Sequence, residues 1–400
     1  MKNTPPSSKN IIALTMERFP DGDATSNRLL ALLKTFEDAG YTAKVIGNGE
    51  IRNNGNDEWL SIDKSSIKYK TIRSKSNTLL KKVFVRTFST IILFNAFQSA
   101  KEANTSAIVT THTTLSTGIL ILAKFFWKIP LIIECSEWHE KKQFSGPFSL
   151  INYLKFCYKF HILCTLSKNI ICITDLLNKK FSNKCNTIII PPTVIPSDFP
   201  YKIAFNYNSS YLKLFYGGNI SGKDDIATVI KGILLLDKSE QRNILFTIAG
   251  PSPIDLENYL NKFGIKKTEY ENFTKPIGRI TKKETVLQLS NSDFSVLLRP
   301  ISRYSMAGFP SKIVESLASG TPVITNITSD LDNYLKDGHD AIFVNECSEE
   351  EMAISLRKAL HMSKDSIIEM KFNSMKTARE KFSYNNYTEK LSVFLEQIRK

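Results

Sequence analysis

The chain has 400 residues, of which 42% are apolar and 23% charged, an ordinary globular composition with room for two domains. It contains no low-complexity stretch and no repeat of fixed period, which excludes fibrous and solenoid proteins. The net charge is +14, and residues 1–200 hold 26 Lys/Arg against 15 Asp/Glu, whereas residues 201–400 hold 27 against 24. This excess in the first half favours an anionic partner: a membrane surface, a nucleic acid or a phosphate-bearing substrate.

The cysteines and the N-terminus predict a cytoplasmic protein. The six cysteines form no Cys-x-x-Cys pair and no metal-ligand spacing with the five histidines, so we expect buried free thiols in a reducing compartment. The first ten residues lack the apolar core of a signal peptide. The most apolar stretch, 117–133, is interrupted by Lys124, Lys128 and Pro130, which favours a helix followed by a strand over a membrane span.

The first half alternates strands with helices, as in a doubly wound α/β domain. Its predicted strands are 10–15, 42–46, 107–111, 130–134, 170–174 and 187–190. Its predicted helices cover about 24–39, 77–103, a segment that ends at Trp127, and 148–163. The proline-rich stretch 191–211 then marks a domain boundary.

The second half repeats the alternation more clearly. Its predicted strands are 212–216, 244–249, 273–277, 294–298, 323–325 and 341–344, with helices between them. Residues 349–382 are predicted as helical, and a last helix runs from about 384 to 399. Two Rossmann-like domains of this kind leave a cleft between them, which is the expected ligand site.

The stretch 308–326, GFPSKIVESLASGTPVITN, predicts a loop, a helix, a turn and a buried strand. Pro310 suits the helix start, Ser311 is a candidate cap, and Gly320 fits the helix end. Lys312 and Glu315 share one face near the helix N-terminus, where free N–H groups favour phosphate and Glu315 suits ribose hydroxyls. An ordinary solvated Lys/Glu pair is the competing interpretation.

Two further segments follow predicted strands of the second half. In the loop 216–224, YGGNISGKD, glycines such as Gly217 and Gly218 allow close approach of the backbone to phosphate, and Lys223 suits its charge. A glycine turn with a solvated lysine explains the loop equally well. Arg299 ends the strand 294–298, where it would bind a phosphate or steady the loop that follows.

These segments resemble glycosyltransferase family 4, a large retaining family. The resemblance rests on the Phe-Pro-Ser-Lys-x-x-Glu helix followed by Ala-x-Gly-x-Pro-Val, on the glycine loop with its lysine, and on FTIAG at 246–250. It is strongest from 212 to 345. It implies the GT-B fold, with an acceptor domain at 1–195, a nucleotide-sugar domain at 196–382 and a crossover helix at 383–400 that returns to the first domain.

The resemblance implies a donor site for a nucleotide diphosphate sugar, with no cofactor. Lys223, Lys312 and Arg299 would stabilise the diphosphate leaving group, and Glu315 would hold the ribose. The remaining donor contacts are implied for Gly217, Gly218, Gly308, Phe309, Pro310 and Ser311. One position departs from the family: Ala307 stands where many members have a second Glu, so backbone amides of Gly308 and Phe309 would contact the sugar instead.

On the acceptor side, FPDGDATSNR resembles the first loop of the family and places Asp21 and Gly22 near acceptor and donor phosphate. Glu137 and His139 follow a strand at the expected cleft, and His112 ends the preceding strand. Asp21 and Asp23 also form an Asp-x-Asp, the metal signature of another glycosyltransferase fold. Because hard cations usually take more carboxylates, and Asp23 suits a helix cap, we expect no metal.

The sequence and the resemblance thus predict a cytoplasmic, metal-independent, retaining glycosyltransferase acting on a lipid-linked saccharide in surface polysaccharide assembly. Basic segments with aromatics, at 81–86 and 141–168, suggest contact with an anionic membrane. No nucleic-acid motif is present, so we expect no nucleic acid partner. The alternatives are a nucleotide-sugar epimerase on the same fold and a catalytically silent sugar-nucleotide-binding partner.

Overall fold

Runs of apolar residues form parallel strands that are buried on both faces, which is typical of sheets covered by helices on each side. The computed structural model describes residues 9–20, 24–48, 59–62, 65–71, 98, 101, 105–111, 114–200, 210–220 and 223–399. The chain divides into two units, the first comprising residues 1–193 with 384–400 and the second residues 194–383. The predicted helix at 77–103 and the basic segment at 81–86 fall outside the residues described, apart from 98 and 101.

The first unit contains an eight-stranded sheet within the described part of the chain, in the order β3-β4-β2-β1-β5-β6-β7-β8. Its strands are β1 (Lys9–Arg18), β2 (Tyr41–Asn48), β3 (Leu60–Ser61), β4 (Lys68–Thr71), β5 (Thr105–Thr110), β6 (Leu131–Cys135), β7 (Asn169–Cys172) and β8 (Asn186–Ile189). Neighbouring strands pair in parallel except for β3 and β4, which are antiparallel. The short strands β3 and β4 were not predicted, because two-residue and polar strands carry little periodicity.

The helices of the first unit follow the predicted alternation. They are α1 (Ala24–Asp38), α2 (Thr114–Trp127), α3 (Ser149–Tyr158), α4 (Cys164–Ser167) and α5 (Asp175–Phe181), with a π-helical turn (Lys159–Leu163) joining α3 to α4. The predicted helix at 148–163 is therefore α3 plus this turn. No helix among the described residues is long and apolar enough to cross a membrane.

The second unit contains a six-stranded parallel sheet, in the order β11-β10-β9-β12-β13-β14. The strands are β9 (Leu212–Gly217), β10 (Ile244–Ala249), β11 (Thr274–Gly278), β12 (Phe294–Leu297), β13 (Val323–Asn326) and β14 (Ala341–Val344). The chain moves from β9 outward to β11 and then returns to the other side of β9 with β12. The strand order thus reverses between β9 and β12, and ligands of open α/β sheets bind outside the carboxyl ends at such a point.

The helices of the second unit cover both faces of this sheet. They are α6 (Ile226–Leu234), α7 (Lys238–Arg242), α8 (Pro253–Asn261), α9 (Lys267–Tyr270), α10 (Lys282–Ser290), α11 (Arg303–Ala307), α12 (Ser311–Ala318), α13 (Glu349–Leu360) and α14 (Lys364–Thr377), with a π-helical turn at Ala378–Phe382. The prediction of continuous helix over 349–382 was wrong in one respect. Ser363 is extended and its side chain accepts a hydrogen bond from the Ser366 N–H, so it caps α14 as a separate helix.

The last helix, α15 (Thr388–Arg399), belongs to the first unit, as predicted. Leu391, Phe394 and Leu395 are at most 3% exposed and join the core formed by α1 and the strands of that unit. The hydroxyl of Thr35 in α1 donates to the Tyr384 carbonyl at 3.1 Å, just ahead of this helix. The predicted return of the chain to its first unit is therefore confirmed.

Candidate functional site

The carboxyl ends of β9 and β12 bring together four polar side chains that are far apart in the sequence. Tyr216 is the penultimate residue of β9, and Asp224 lies just ahead of α6, in the loop that follows β9. Arg299 follows β12, and Lys312 lies in the first turn of α12. We call Tyr216, Asp224, Arg299 and Lys312 the carboxylate cluster, because each of the other three contacts Asp224.

Asp224 is the centre of this cluster, and its side chain is 3% exposed. Its Oδ1 accepts a hydrogen bond from Arg299 Nε at 2.8 Å. Its Oδ2 accepts from the Tyr216 hydroxyl at 3.0 Å and forms an ion pair with Lys312 Nζ. The same Nζ lies 3.2 Å from the Tyr216 hydroxyl and 4.7 Å from the centre of its ring. One carboxylate thus faces two cations at the predicted donor site.

The charges of the cluster depend on one another. Burial alone would raise the pKa of Asp224, but the charges of Lys312 and Arg299 and their hydrogen bonds hold that pKa below its ordinary value. Burial lowers the pKa of Lys312, and Asp224 opposes that shift. Burial, followed by the nearby Asp224 charge, raises the pKa of Tyr216. At neutral pH the cluster therefore holds an ionised aspartate between a guanidinium and a half-buried lysine.

Backbone contacts hold Arg299 in place. Its N–H donates to the Asn326 side-chain oxygen at 2.9 Å, and its carbonyl accepts from the Asn326 side-chain nitrogen at 2.8 Å. Asn326 is the last residue of β13, so the neighbouring strand fixes the point at which Arg299 leaves the sheet. The Arg299 side chain is 14% exposed and turns toward Asp224. These contacts are with Asn326 and Asp224, so neither predicted role, a phosphate contact or support of the loop that follows, is decided by them.

Gly218 lies closely against the side chains of Lys312 and Tyr216. A Cβ at this position would overlap the Lys312 ammonium group and stand 3.0 Å from the Tyr216 hydroxyl. Gly250, with a φ of +118°, packs its own backbone against the Gly218 carbonyl. Gly217 lies at the end of β9, where a Cβ would stand 3.0 Å from the Phe215 ring. The sequence predicted that the backbone of this glycine pair approaches phosphate. In the structure, the absence of a side chain at Gly218 leaves room for the Lys312 ammonium group.

Helix α12 begins at Ser311, with Pro310 as the residue before it. The predicted cap at Ser311 is wrong, because Pro310 occupies the capping position and no side chain caps the helix. Phe309 is buried against the rings of Tyr334 and Phe382, at 5.5 and 5.8 Å between ring centres. This contact anchors the start of the helix, and Lys312 and Glu315 follow in its first two turns.

The region around Ala307 differs from the expectation for the donor sugar. Ala307 is fully buried at the end of α11. The Gly308 N–H, which was expected to contact the sugar, instead donates to the Tyr304 carbonyl at 3.0 Å as part of that short helix. Lys223 is exposed and lies outside the carboxylate cluster, with its Nζ 4.7 Å from the centre of the Tyr304 ring.

In the first unit, the predicted acceptor-side residues Glu137 and His139 contact each other. His139 Nε2 lies 2.8 Å from Glu137 Oε2, and its ring packs against Phe144 and Phe156. Asp21, Gly22, Asp23 and His112 lie outside the described residues.

A buried ion pair that the sequence did not predict joins Arg28 to Glu134, which shortly precedes Glu137 in the chain. Arg28 of α1 donates from Nε to Glu134 at 2.5 Å and from its other two nitrogens to the Pro191 and Ile190 carbonyls, at 2.8 and 2.9 Å. The pair ties α1 to the carboxyl end of β6 and to the segment after β8.

The sequence indicated Gly218, Arg299 and Lys312 but not the two residues that join them. Asp224 and Tyr216 flank the glycine loop, and their partners are 75 to 96 residues away in the chain. The sequence contained one signal for Asp224, namely that this acidic residue directly follows Lys223 of the glycine loop.

Comparisons with known proteins agree with this architecture. Residues 202–382 match the family model described as "Glycosyl transferases group 1". Among curated proteins, no sequence matches this chain.

Solved structures resemble the chain over nearly its full length. Sucrose-phosphate synthase from Thermosynechococcus elongatus superposes with a TM-score of 0.74 at 14% identity, covering 98% of this chain and 99% of that one. HepE from Anabaena in complex with UDP-glucose gives 0.66 at 12% identity, with 97% and 99% covered. WaaG, "a glycosyltransferase involved in lipopolysaccharide biosynthesis", gives 0.63 at 14%, with 96% and 99% covered. The predicted GT-B fold is confirmed.

Proposed function

Because residues 202–382 match the family model described as "Glycosyl transferases group 1", we propose that this protein is a retaining glycosyltransferase. It transfers a sugar from a nucleoside diphosphate sugar to a saccharide acceptor. The observation that carries this proposal is the pair of cations, Arg299 and Lys312, at the carboxyl ends of β9 and β12, beside the start of α12. A diphosphate that departs with two negative charges needs such a site.

The donor is held by the second unit. Lys312 and Arg299 contact the diphosphate, Lys223 reaches it from the exposed loop, and Glu315 accepts hydrogen bonds from the ribose hydroxyls. Gly217, Gly218 and the segment from Gly308 to Ser311 line the donor. The structure of HepE in complex with UDP-glucose supports a UDP-sugar as the first donor to examine.

Catalysis is mainly electrostatic. The bond between the anomeric carbon and the diphosphate oxygen breaks, and the acceptor oxygen bonds to that carbon on the same face. The acceptor proton passes to the departing diphosphate oxygen, so no side-chain base is needed. Lys312 and Arg299 stabilise the charge that grows on the diphosphate, and they exchange part of their contact with Asp224 for contact with the ligand.

The acceptor is a saccharide carried on a lipid, in surface polysaccharide assembly on the cytoplasmic side of a membrane. The basic balance of residues 1–200 supports an anionic acceptor or surface. The involvement of WaaG in lipopolysaccharide biosynthesis supports the same class of acceptor. Glu137 and His139 are the acceptor-side residues that we assign, together with Asp21, Gly22 and His112.

A thermal-shift panel of UDP, GDP, ADP, CMP and their sugars tests the donor site directly. We expect one base to raise the melting temperature selectively, since a ligand stabilises the folded state in proportion to ln(1 + [L]/Kd). Lys312→Ala should remove most of that shift and Glu315→Gln should reduce it, whereas the exposed Lys262→Ala serves as a matched control and should retain it. Equal shifts in all four proteins would contradict the assignment.

A transfer assay with the selected sugar then separates an enzyme from a silent binding partner. The silent-partner alternative has one observation in its favour, since Asp224 already offsets part of the positive charge of Arg299 and Lys312. A protein that binds the donor with normal affinity but neither transfers nor hydrolyses it, with any saccharide or lipid-linked acceptor, would support that alternative.

A further inference from the structure

Two helices of the first unit that pack against each other both expose large apolar side chains. In α2, Leu122, Phe125 and Phe126 are 63%, 68% and 82% exposed, while Leu120 and Ile121 face the core. In α3, the exposed apolar side chains are Leu150, Ile151, Leu154 and Tyr158. Helical neighbours at i+3 and i+4 share a face, so each helix carries an apolar stripe. We call Leu122, Phe125, Phe126, Leu150, Ile151 and Leu154 the apolar face.

The two helices are held together. Helix α2 packs against α3 and against the π-helical turn that follows α3. Lys124 of α2 donates to the Ser167 carbonyl at 2.8 Å, and Lys159 of the turn donates to the Thr111 carbonyl at 3.2 Å, just ahead of α2. The apolar face is therefore carried by elements of fixed relative position.

Elsewhere the exposed apolar side chains are scattered. In the second unit, Ile254 of α8, Leu287 of α10, Ile354 of α13 and Phe372 of α14 each stand alone on their helix. Single exposed apolar residues are usual on protein surfaces, whereas a contiguous patch marks an interaction site.

The helices that carry the apolar face contain lysines and no acidic residues. Residues 114–130 and 141–168 hold no aspartate or glutamate, and the nearest acidic side chain in the segment between them, Glu140, pairs with Lys142. The cationic side chains of these two ranges are Lys124, Lys128, Lys141, Lys142, Lys155, Lys159 and Lys168. A second copy of this chain would bring the same lysines against themselves across a two-fold axis, which disfavours self-association. An apolar stripe bordered by lysines instead suits the boundary between the headgroups and the acyl chains of an anionic bilayer.

We infer that the apolar face docks this protein on an anionic lipid surface, with Phe125 and Phe126 inserted among the acyl chains and the lysines among the headgroups. The docking itself is independent of the donor site, and only its use in catalysis rests on the proposed function. A surface-bound enzyme would meet a lipid-carried acceptor without leaving the membrane.

Sedimentation of the full chain with vesicles tests the inference without any sugar donor. The vesicles are phosphatidylcholine alone or phosphatidylcholine with phosphatidylglycerol. We expect binding to the anionic vesicles only, with a decrease at high salt. Phe125→Ser/Phe126→Ser should lower the partition constant by about tenfold or more, because the inserted apolar area is lost. Ile254→Ser/Phe372→Ser, on the second unit, is the matched control and should bind like the original protein.

The variants also decide between occupants of the face. Equal vesicle binding by both double variants, or by neutral and anionic vesicles, would overturn the inference. So would a dimer in light scattering that Phe125→Ser/Phe126→Ser converts to a monomer, since the face would then join two copies. Leu150→Ser/Leu154→Ser on α3 repeats the test if the first variant melts early. Loss of vesicle binding with an unchanged nucleotide thermal shift separates this surface from the donor site.

Discussion

Asp224 is the residue that decides what Lys312 and Arg299 contact when no ligand is bound. Its carboxylate contacts both cations, and in the proposed function a bound diphosphate would compete with it for them. Two cations beside each other repel, and the buried carboxylate makes their proximity tolerable. We therefore interpret Asp224 as a counter-ion that keeps both side chains in place for the donor.

Asp224→Asn should destabilise the free protein and strengthen nucleotide binding. The substitution removes the carboxylate that Lys312 and Arg299 both contact, at a cost of about 1–3 kcal/mol since Lys312 is partly solvated. A bound diphosphate supplies the missing charge, so the nucleotide thermal shift should grow. In the wild type, the contribution of ionised Asp224 to the free energy of unfolding should be complete above about pH 4 and should be lost as the pH falls through its lowered pKa. The variant should not show this loss.

Urea unfolding and calorimetric titration with the selected nucleotide measure both effects. Asp198→Asn is a matched control, because Asp198 pairs with Lys282 at 2.7 Å on the surface, where such pairs contribute less than about 1 kcal/mol. An Asp224→Asn protein of unchanged stability, or one that binds nucleotide as weakly as Lys312→Ala, would show that Asp224 is not a counter-ion of this kind.

Single residues were predictable from sequence where local chemistry marks them. Lys312 follows a proline at a helix start and Gly218 follows a buried strand, so each carried its own signal. Tyr216 and Asp224 did not, because Tyr216 is an apolar-looking strand residue and the role of Asp224 depends on Arg299, 75 positions later. The separation of Asp224 and Arg299 along the chain does not indicate that they meet, because their contact depends on β9 and β12 being neighbours in the sheet.

At the scale of elements, the close approach of the loop after β9 to helix α12 depends on Gly218. Gly218→Ala should displace the Lys312 side chain from Asp224, because the new methyl group would occupy the space of the ammonium group. We expect nucleotide affinity to fall by about tenfold or more, while the fold is retained because Lys312 is flexible and can move outward.

Gly118→Ala is the matched control for this substitution. A Cβ at Gly118 meets nothing within 4 Å, and the position lies within α2, where alanine is the better helix former. Thermal shift with nucleotide separates the two variants. If Gly218→Ala bound nucleotide as well as Gly118→Ala, the position of Lys312 would be irrelevant to the donor.

Strands and helices were predicted well where burial imposes a pattern. Strands β6, β7, β12 and β13 are fully buried short apolar runs, and they were identified within a few residues. Strands β3 and β4 lie in a polar region and pair at the edge of the sheet, where burial selects only one face. The break between α13 and α14 was missed because Ser363 looks like any polar residue until its capping geometry is seen.

Helix α14 carries a buried lysine that predicts a pH dependence of stability. Lys371 is 1% exposed, its Nζ lies 3.4 Å from the Ser290 carbonyl and also contacts that of Ser292, and burial lowers its pKa to about 8. Above pH 8 the folded protein releases this proton before the unfolded chain does, whose lysine pKa is about 10.4. The free energy of unfolding should therefore rise with pH over that interval, by up to about 1.4 kcal/mol per unit.

Lys371→Met keeps the length of the side chain and removes the titrating group. Between pH 8 and pH 10, the free energy of unfolding of the original protein should rise relative to that of the variant. Exposed Lys376→Met, on the same helix, should show a constant difference. Urea unfolding at several pH values measures both, and parallel curves for all three proteins would contradict the assigned pKa.

At the scale of the whole molecule, the two units carry different kinds of residue. The excess positive charge and the apolar face lie in the first, and the carboxylate cluster lies in the second. The chain passes between the units after Thr193 and again after Ser383, and α15 completes the core of the first. Composition predicted the charge difference, but which apolar side chains remain exposed follows only from packing.

Transfer by the full chain should be insensitive to chelators. A divalent cation would serve to neutralise the departing diphosphate, and in the proposed function Lys312 and Arg299 would supply that positive charge instead. We expect equal rates of sugar transfer with EDTA and with Mg²⁺, and the same nucleotide affinity in both. A rate that falls in EDTA and returns with Mg²⁺ would contradict this expectation. If Asp21→Ala/Asp23→Ala then abolished the Mg²⁺ response, the Asp-x-Asp would be the metal site.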